Sequence, residues 1–195
     1  MAKGPISQNP VMPDAAGLAE SARAASRGAL PPIEQWAPPF CGDIDMRIAR
    51  GGTWFYQGSP IGRSAMVRLF STILRRDGDE YFLVTPAEKV RISVEDVPFV
   101  AVDVESDGDE LAFTTNVGDR VVADADHPIR MDRASATGEP APYVLVRRNL
   151  EALIDRKSFY RLVDLGEVRD HRGAAWFGVT SCGTFFPMLP AAELD

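Results

Sequence analysis

The sequence predicts an α+β protein made of two tandem, structurally related modules, each an antiparallel sheet covered by one helix. Hydrophobic residues make up 45% and charged residues 25% of the 195 residues, which is typical of a soluble globular chain. Short runs of alternating apolar and polar residues are separated by Gly, Pro and Asp turns, as in antiparallel sheets. Two longer runs carry apolar residues at helical spacing, and they recur in the same order among the strand signals.

The first 35 residues are rich in Ala, Pro and Gly and are predicted to form an N-terminal arm. Asp14 can cap a short helix whose apolar stripe is Leu18, Ala22 and Ala25. Pro31-Pro32 end that helix. We expect the arm to pack on the body or on a second subunit, with fraying at the terminus as the alternative.

Residues 36–98 are predicted to form the first sheet-and-helix module. A hairpin is expected from segments 46–49 and 53–56, joined by a Gly-Gly turn. Segment 64–76 has helical spacing, and strands are expected at 81–85 and 90–94. The apolar residues of the helix are Met66, Leu69, Phe70, Ile73 and Leu74.

Residues 99–195 are predicted to repeat this plan as a second module. Segments 111–115 and 120–123 indicate a second hairpin, and His127-Pro128-Ile129 follows it where Ser59-Pro60-Ile61 follows the first. A second helix and then a strand at Leu162-Val163 are expected. The apolar residues of this helix, which match the first helix at an offset of 80, are Val146, Leu150, Leu153 and Ile154.

Several classes of enzyme are excluded by missing motifs. The chain has no G-x-G-x-x-G, P-loop, G-x-S-x-G or H-E-x-x-H sequence and only two histidines. Cys41 and Cys182 lack the paired spacing of a zinc site and are predicted to be buried thiols without a disulfide. The acidic run at 103–109 begins like an EF-hand loop, but its twelfth position is Thr114, so a hairpin tip is favoured. We therefore predict neither a metal nor a cofactor.

The charge distribution argues against duplex nucleic acid as a partner. The net charge is −7, and segment 92–126 holds ten acidic residues and one basic residue. Such a chain repels phosphate at long range, whereas a duplex-binding domain carries a basic surface. No apolar run approaches the length of a membrane span, and no signal peptide is recognisable, so a cytoplasmic protein is expected.

Basic and aromatic residues form the candidate ligand site. Free amides at a helix N-terminus and converging guanidinium groups suit a phosphate, and an indole could stack on a base. The alternative is that the aromatic residues belong to the core and the arginines to the solvated surface. The candidate residues are Arg47, Trp54, Tyr56, Arg63, Arg68, Lys89, Arg172 and Trp176.

Several ordered motifs carry a resemblance to a known family. They are Pro38-Pro39-Phe40-Cys41-Gly42-Asp43-Ile44-Asp45-Met46-Arg47-Ile48, Gly52-Thr53-Trp54-Phe55-Tyr56, Gly58-Ser59-Pro60-Ile61-Gly62-Arg63, Met66-Val67-Arg68-Leu69-Phe70, Leu83-Val84-Thr85-Pro86-Ala87-Glu88-Lys89, Trp176-Phe177-Gly178-Val179 and Ser181-Cys182-Gly183. Together they resemble the bacterial domain-of-unknown-function 1285 family over about residues 31–190. The resemblance implies a duplicated fold, a second domain loosely like the pleckstrin-homology (PH) barrel, a ligand such as a nucleotide between the domains, and a role in signalling.

The sequence favours a cytoplasmic ligand-binding or signalling module over a catalyst. The expected ligand is an anionic small molecule, held at the cleft between the modules because pockets favour domain interfaces. One alternative is a hydrolase or transferase that uses Asp43, Asp45 or Cys41 in that cleft. A second alternative is a protein-interaction adaptor, and a protein partner or a homo-oligomer stays open.

Overall fold

The computed structural model describes residues 14–26, 30–133, 138 and 140–194. Three α-helices are present in this part of the chain: α1 (Ala15–Ala25), α2 (Ser64–Thr72) and α3 (Arg156–Asp164). The strands of the first sheet are β1 (Phe40–Ile48), β2 (Trp54–Tyr56), β3 (Ser59–Pro60), β4 (Leu74–Asp77), β5 (Glu80–Val84) and β6 (Lys89–Val94).

Nine further strands lie in the described part of the second half of the chain. The second sheet contains β7 (Phe99–Asp107), β8 (Glu110–Thr115), β9 (Arg120–Val122), β10 (Ile129–Arg133), β11 (Pro140–Arg147) and β12 (Leu150–Ile154). A third, smaller sheet contains β13 (Glu167–His171), β14 (Ala174–Ser181) and β15 (Thr184–Pro190). Short 3-10 helices cover Ile33–Gln35 and Ala191–Glu193.

The two six-stranded sheets have the same topology. Their strand orders are β3-β2-β1-β6-β5-β4 and β9-β8-β7-β12-β11-β10, so in each sheet the first and last strands lie side by side at the centre. The central pair, β1–β6 or β7–β12, is parallel, and the remaining neighbours are antiparallel. The prediction of two related sheet-and-helix modules is confirmed, with one parallel pair added to each sheet. The boundaries assigned to the domains stay a prediction.

The repeat has a different spacing from the one expected. The first strands begin at Phe40 and Phe99, and the last strands end at Val94 and Ile154, so the repeat is shorter than 80 residues. Met66 lies in α2, whereas Val146 lies in strand β11. The predicted equivalence of these two residues is therefore wrong.

The helix predicted around Val146 to Ile154 is a β-hairpin instead. Arg148, with φ of 54°, and Asn149 form the turn between β11 and β12. In β12, burial alternates along the strand, and Leu150 and Ile154 face the core. An i, i+4 apolar spacing is also an even spacing, so it fits one face of a strand as well as one face of a helix.

The real helix of the second module lies where a turn and a strand were expected. Asp155 caps α3, and its carboxylate accepts a hydrogen bond of 2.7 Å from the backbone nitrogen of Ser158. Ser158 and Leu162 are buried one turn apart, so α3 presents one face to the core. The expected strand at Leu162-Val163 is wrong. The N-cap at Asp155 is the signal that identifies the helix.

The first module agrees more closely with the sequence-based expectation. The predicted hairpin is β1–β2, in which Met46 pairs with Tyr56. Helix α2 begins as expected but ends at Thr72 rather than at residue 76, because Leu74 pairs with Leu83 in the sheet. Asp14 caps α1 as predicted, and α1 packs on α2 with Leu18 fully buried.

The third sheet completes the second module. β15 lies beside β10, and β14 contacts both β8 and α3. The hydroxyl of Ser181 in β14 accepts a hydrogen bond of 2.9 Å from the backbone nitrogen of Leu111 in β8. The second sheet curls with this sheet into a half-barrel covered by α3, which agrees with the loosely PH-like barrel that the resemblance implies.

Two further observations concern the sequence-based expectations. Cys41 and Cys182 are free thiols, as predicted, but both are exposed rather than buried. Within the described ranges, no helix combines the length and the apolar character that crossing a membrane requires.

Candidate functional site

A cleft of about 420 Å³ lies where the arm, the first module and the second module meet. The arm contributes Glu34, the end of strand β4 contributes three residues, and the β11–β12 turn contributes two. The cleft is therefore built by segments far apart in the sequence. The full set of described lining residues is Glu34, Arg75, Arg76, Asp77, Arg148 and Asn149.

Arg148 holds the second module against the arm. Its Nη2 donates a hydrogen bond of 2.8 Å to the carbonyl of Pro31, and its Nε forms an ion pair with Glu34. Its Nη1 is buried and has no hydrogen-bond partner. A buried guanidinium N–H without an acceptor is costly, so an acceptor that reached this atom would be favourable.

Arg75 and Arg76 form the opposite wall at the edge of the first sheet. Nη1 of Arg75 donates to the carbonyls of Ile33 and Trp36, each at 3.1 Å. Arg76 donates to the carbonyl of Gly78 at 2.9 Å. Asn149 of the second module donates to the carbonyl of Arg76 at 3.0 Å, which ties this wall to the β11–β12 turn.

Asp77 supplies the negative charge of this wall. It accepts hydrogen bonds from Nη2 of Arg75 at 3.0 Å and from Nζ of Lys89 at 2.6 Å. Burial raises the pKa of Asp77, but the hydrogen bonds and charges of Lys89 and Arg75 outweigh this, so its pKa lies below the ordinary value. Asp77 is therefore a carboxylate at neutral pH and neutralises part of the cationic wall.

Arg147, next to the cleft, fixes the two modules relative to each other. Its Nη2 donates a hydrogen bond of 2.8 Å to the carbonyl of Ser71 at the end of α2, and its Nη1 pairs with Asp119. The guanidinium lies 4.7 Å from the ring centroid of Phe99. Burial lowers the pKa of Arg147 to about 10, and the charge of Arg148 contributes to this shift. Arg147 stays protonated at neutral pH, and its buried guanidinium connects the first module to the second.

The aromatic residues predicted for the site are absent from the described lining of the cleft, and two of them pack in or against the hydrophobic core. Trp54 is 1% exposed and stacks on Phe70 with ring centroids 6.3 Å apart, so its indole belongs to the core. Tyr56 is half-buried against the same core. Trp176 lies on β14 of the third sheet, opposite Arg169 and Pro190. None of these rings lines the cleft among the residues described for it.

The basic residues predicted for the site are dispersed. Arg47 pairs with Glu95 and lies 4.3 Å from the ring centroid of Phe55. Lys89 reaches the cleft only through Asp77. The remaining three, Arg63 at the N-terminus of α2, Arg68 on its exposed side and Arg172 in the β13–β14 turn, are exposed and are not cleft residues in the described part of the chain. A binding role for the eight predicted residues stays a prediction.

The residues of the enzyme alternative are not among the described cleft residues, and this alternative stays untested. Both oxygens of Asp43 are bound by Arg91, at 2.8 and 2.9 Å. The hydrogen bond from Arg91 is the main reason why the pKa of Asp43 lies below its ordinary value. A carboxylate held in its charged form is a poor proton donor. Cys41 and Asp45 are exposed, and neither lines the cleft among its described residues.

The sequence contains one signal that points to the cleft. The chain has two Arg-Arg pairs, Arg75-Arg76 and Arg147-Arg148. Arg75-Arg76 lies near the end of β4, one residue before a tight turn, and Arg147-Arg148 spans the end of β11 and the first residue of the next turn. The structure brings both pairs to the module interface, although more than 70 residues separate them.

The order of the two modules matches two family models. Residues 31–97 match "Domain of unknown function (DUF1285), N-terminal domain". Residues 98–188 match "Protein of unknown function (DUF1285), C-terminal domain". The chain belongs to the DUF1285 family. Among the curated proteins, none matches this chain.

Two crystal structures of DUF1285 family proteins are similar to the chain. One, from Silicibacter pomeroyi DSS-3, has 62% sequence identity and a TM-score of 0.83, and the match covers 91% of this chain and 97% of that one. The other, from Shewanella baltica OS155, has 31% identity and a TM-score of 0.50, with 61% of this chain and 90% of that chain covered. The match to the first of these structures extends over both modules.

Proposed function

We propose that this DUF1285 protein is a cytoplasmic ligand-binding module with a role in signalling, and that it binds an anionic small molecule in the cleft between its modules. The observation that carries the proposal is the buried Nη1 of Arg148, which lacks a partner and belongs to a residue that lines the cleft. An acceptor oxygen placed there would satisfy this donor.

The charges of the cleft favour an anion. Three guanidinium groups face two carboxylates, and Asp77 is also shared with Lys89. Glu34 pairs with Arg148 from a half-exposed position, so an incoming anion can take its place without uncovering a buried charge. Planar guanidinium groups bind carboxylate and phosphate through two parallel hydrogen bonds, which suits both ligand classes.

The residues that line the cleft also narrow the chemical class of the expected ligand. The described cleft residues contain no aromatic ring, and Trp54, which was expected to stack on a base, is in the core. The proposed recognition therefore concerns the anionic group rather than a base. A nucleotide remains one candidate through its phosphates, beside other phosphorylated or carboxylated metabolites.

The position of the cleft supports a signalling role. A ligand there would contact the arm, the first module and the second module at once. Binding free energy would then favour one arrangement of the three segments over others. A partner protein that recognises this arrangement would then bind in a ligand-dependent way.

A thermal unfolding screen tests the proposal. The probes are inorganic phosphate, pyrophosphate, citrate and ADP, each at increasing concentration. A ligand at 100 times its dissociation constant stabilises the folded protein by about 2.7 kcal/mol, which raises Tm by several degrees. The proposal expects at least one anion to raise Tm, and titration calorimetry then gives its Kd.

The variant Arg148→Lys tests whether the anion binds at Arg148 in the cleft. Loss of a charge-assisted hydrogen bond costs about 1.5–3 kcal/mol, so Kd of the bound anion should rise at least tenfold although the positive charge is kept. Arg120→Lys is the matched control, because Arg120 is exposed, does not line the described cleft and forms a long ion pair of 3.9 Å with Glu105. The proposal is wrong if none of the four anions binds, or if Arg148→Lys and Arg120→Lys bind equally well.

A further inference from the structure

Strand β13 is an open edge of the third sheet. It pairs with β14 on one side, and within the described chain no strand pairs with its other side. Its first four residues are all exposed. An exposed edge with unpaired N–H and C=O groups is a template for another strand.

The turn that follows β13 determines which residues face the open edge. Arg172 and Gly173 form a two-residue turn, and both have positive φ, 57° and 82°. This is the type I′ pattern, in which the flanking residues, His171 and Ala174, form a hydrogen-bonded pair. Because the pairs alternate, Val168 and Asp170 direct their backbone N–H and C=O groups to the open side.

An apolar row runs across the sheet to this edge. Leu189 on β15 pairs with Phe177 on β14, and Phe177 pairs with Val168 on β13. Leu189 and Phe177 pack against the core, whereas Val168 is 53% exposed. The row therefore ends in solvent at a strand that lacks a second neighbour in the described chain.

We propose that β13 pairs in antiparallel orientation with β13 of a second copy of the chain, about a twofold axis that passes between the two Val168 residues. In this register Val168 lies opposite the partner's Val168, and their outward backbone groups form the central hydrogen-bonded pair. The apolar rows of the two copies then join at the axis. Two three-stranded sheets become one six-stranded sheet.

The charges beside Val168 select this register and a second copy as the occupant. Glu167 lies opposite the partner's Arg169, and Arg169 lies opposite the partner's Glu167. Both are non-hydrogen-bonded pairs across the new edge, where side chains approach most closely. Within one chain, Nε of Arg169 already lies 2.8 Å from Oε1 of Glu167, so the four charges form one network. The sequence Glu-Val-Arg is complementary to itself when it is read antiparallel.

The size of the contact predicts a weak dimer. One short strand buries less than the roughly 1,200–2,000 Å² of a stable protein–protein interface. A dissociation constant in the micromolar to millimolar range is therefore expected. Such a dimer forms at high protein concentration and is broken by small changes at the edge.

Sedimentation velocity with the full chain, from about 5 µM to about 1 mM, tests the pairing over the range expected for a weak interface. Glu167→Arg or Arg169→Glu alone places like charges opposite each other twice, so each variant should weaken the dimer at least about tenfold. The double variant Glu167→Arg/Arg169→Glu restores both attractions and should dimerise like the wild type. An equal mixture of the two single variants should form a mixed dimer.

Arg120→Glu, at an exposed position of strand β9, is the charge control and should leave dimerisation unchanged. Val168→Lys is a second test of the axis, because it places two like charges opposite each other. Circular dichroism melting verifies that every variant is folded. The proposal is overturned if the wild type stays monomeric at 1 mM, or if a dimer forms that the single variants and Val168→Lys do not weaken.

Discussion

The two modules share a strand order but differ in how their sheets are covered. In the first module, α2 is inserted between the third and fourth strands, and α1 of the arm packs on it. In the second module a loop joins the third and fourth strands, and α3 follows the sixth strand. The third sheet then covers what α3 leaves open.

This difference shows what a duplicated sheet requires. The sheet of each module has an apolar face that must be buried, and a helix placed at either point of the chain can cover it. The connection between β3 and β4 is therefore free to be a helix or a loop, provided that another element supplies the apolar surface. The central parallel pair is common to both modules, because it joins the two three-stranded halves of each sheet.

The largest expected losses of stability come from core substitutions on α2 and α3. They test whether the two helices bury the apolar faces of their sheets to the same extent. Phe70 and Leu162 are fully buried on these helices. Phe70→Ala should lower the free energy of unfolding by about 3–5 kcal/mol and Leu162→Ala by about 2–5 kcal/mol, because each leaves a cavity. Urea unfolding measures both. Val163→Ala, at an exposed position of α3, is the control and should cost less than about 1 kcal/mol. Equal effects of Leu162→Ala and Val163→Ala would show that α3 does not cover the second sheet.

A smaller expected loss of stability concerns the contact that Arg147 makes between the modules. Arg147→Met keeps the length of the side chain but leaves Asp119 without its partner, and it should cost about 3 kcal/mol. Arg91→Met is the matched change within the first module, where the pair with Asp43 is exposed, and it should lower the free energy of unfolding much less than Arg147→Met. Chemical unfolding curves distinguish the two. If the costs are the same, Arg147 does not hold the modules together.

The smallest expected effect compares the starts of the two helices. Asp155 caps α3, whereas Arg63 at the same position of α2 makes no capping hydrogen bond. Asp155→Ala should lower the unfolding free energy by about 1 kcal/mol, and Arg63→Asp should raise it by up to about 1 kcal/mol. Thermal melting measures both shifts. Asp155→Asn keeps a capping oxygen and should stay near the wild type. A loss with Asn as large as with Ala would rule out capping as the cause.

The local elements of the arm and of the first module could be predicted from the sequence because their signals are local. Asp14 identifies the start of α1, and the Gly-Gly turn identifies the β1–β2 hairpin. The apolar spacing of Met66 to Ile73 identifies α2, whose residues lie close together on one helix face. Cap, turn and periodicity each depend on a few neighbouring residues, so no distant contact is needed to recognise them.

The second helix shows where a local signal fails. Val146 and Leu150 have helical spacing, but each also faces the core from a strand on either side of the turn at Arg148 and Asn149. The pairing of Leu153 with Tyr143 and with Val100 decides in favour of the hairpin. Periodicity alone cannot distinguish the two structures when the apolar residues are an even number apart.

The sequence by itself determined the class of the fold, the duplication, the family and the presence of arginines able to bind an anion. Only the tertiary structure decided which arginines meet. Arg148 reaches Pro31 and Asn149 reaches Arg76 across the fold, while Trp54 turns into the core. The reason is physical: the partners of these side chains lie far away in the sequence, so the packing of the two sheets and the arm, rather than any local preference, sets their positions.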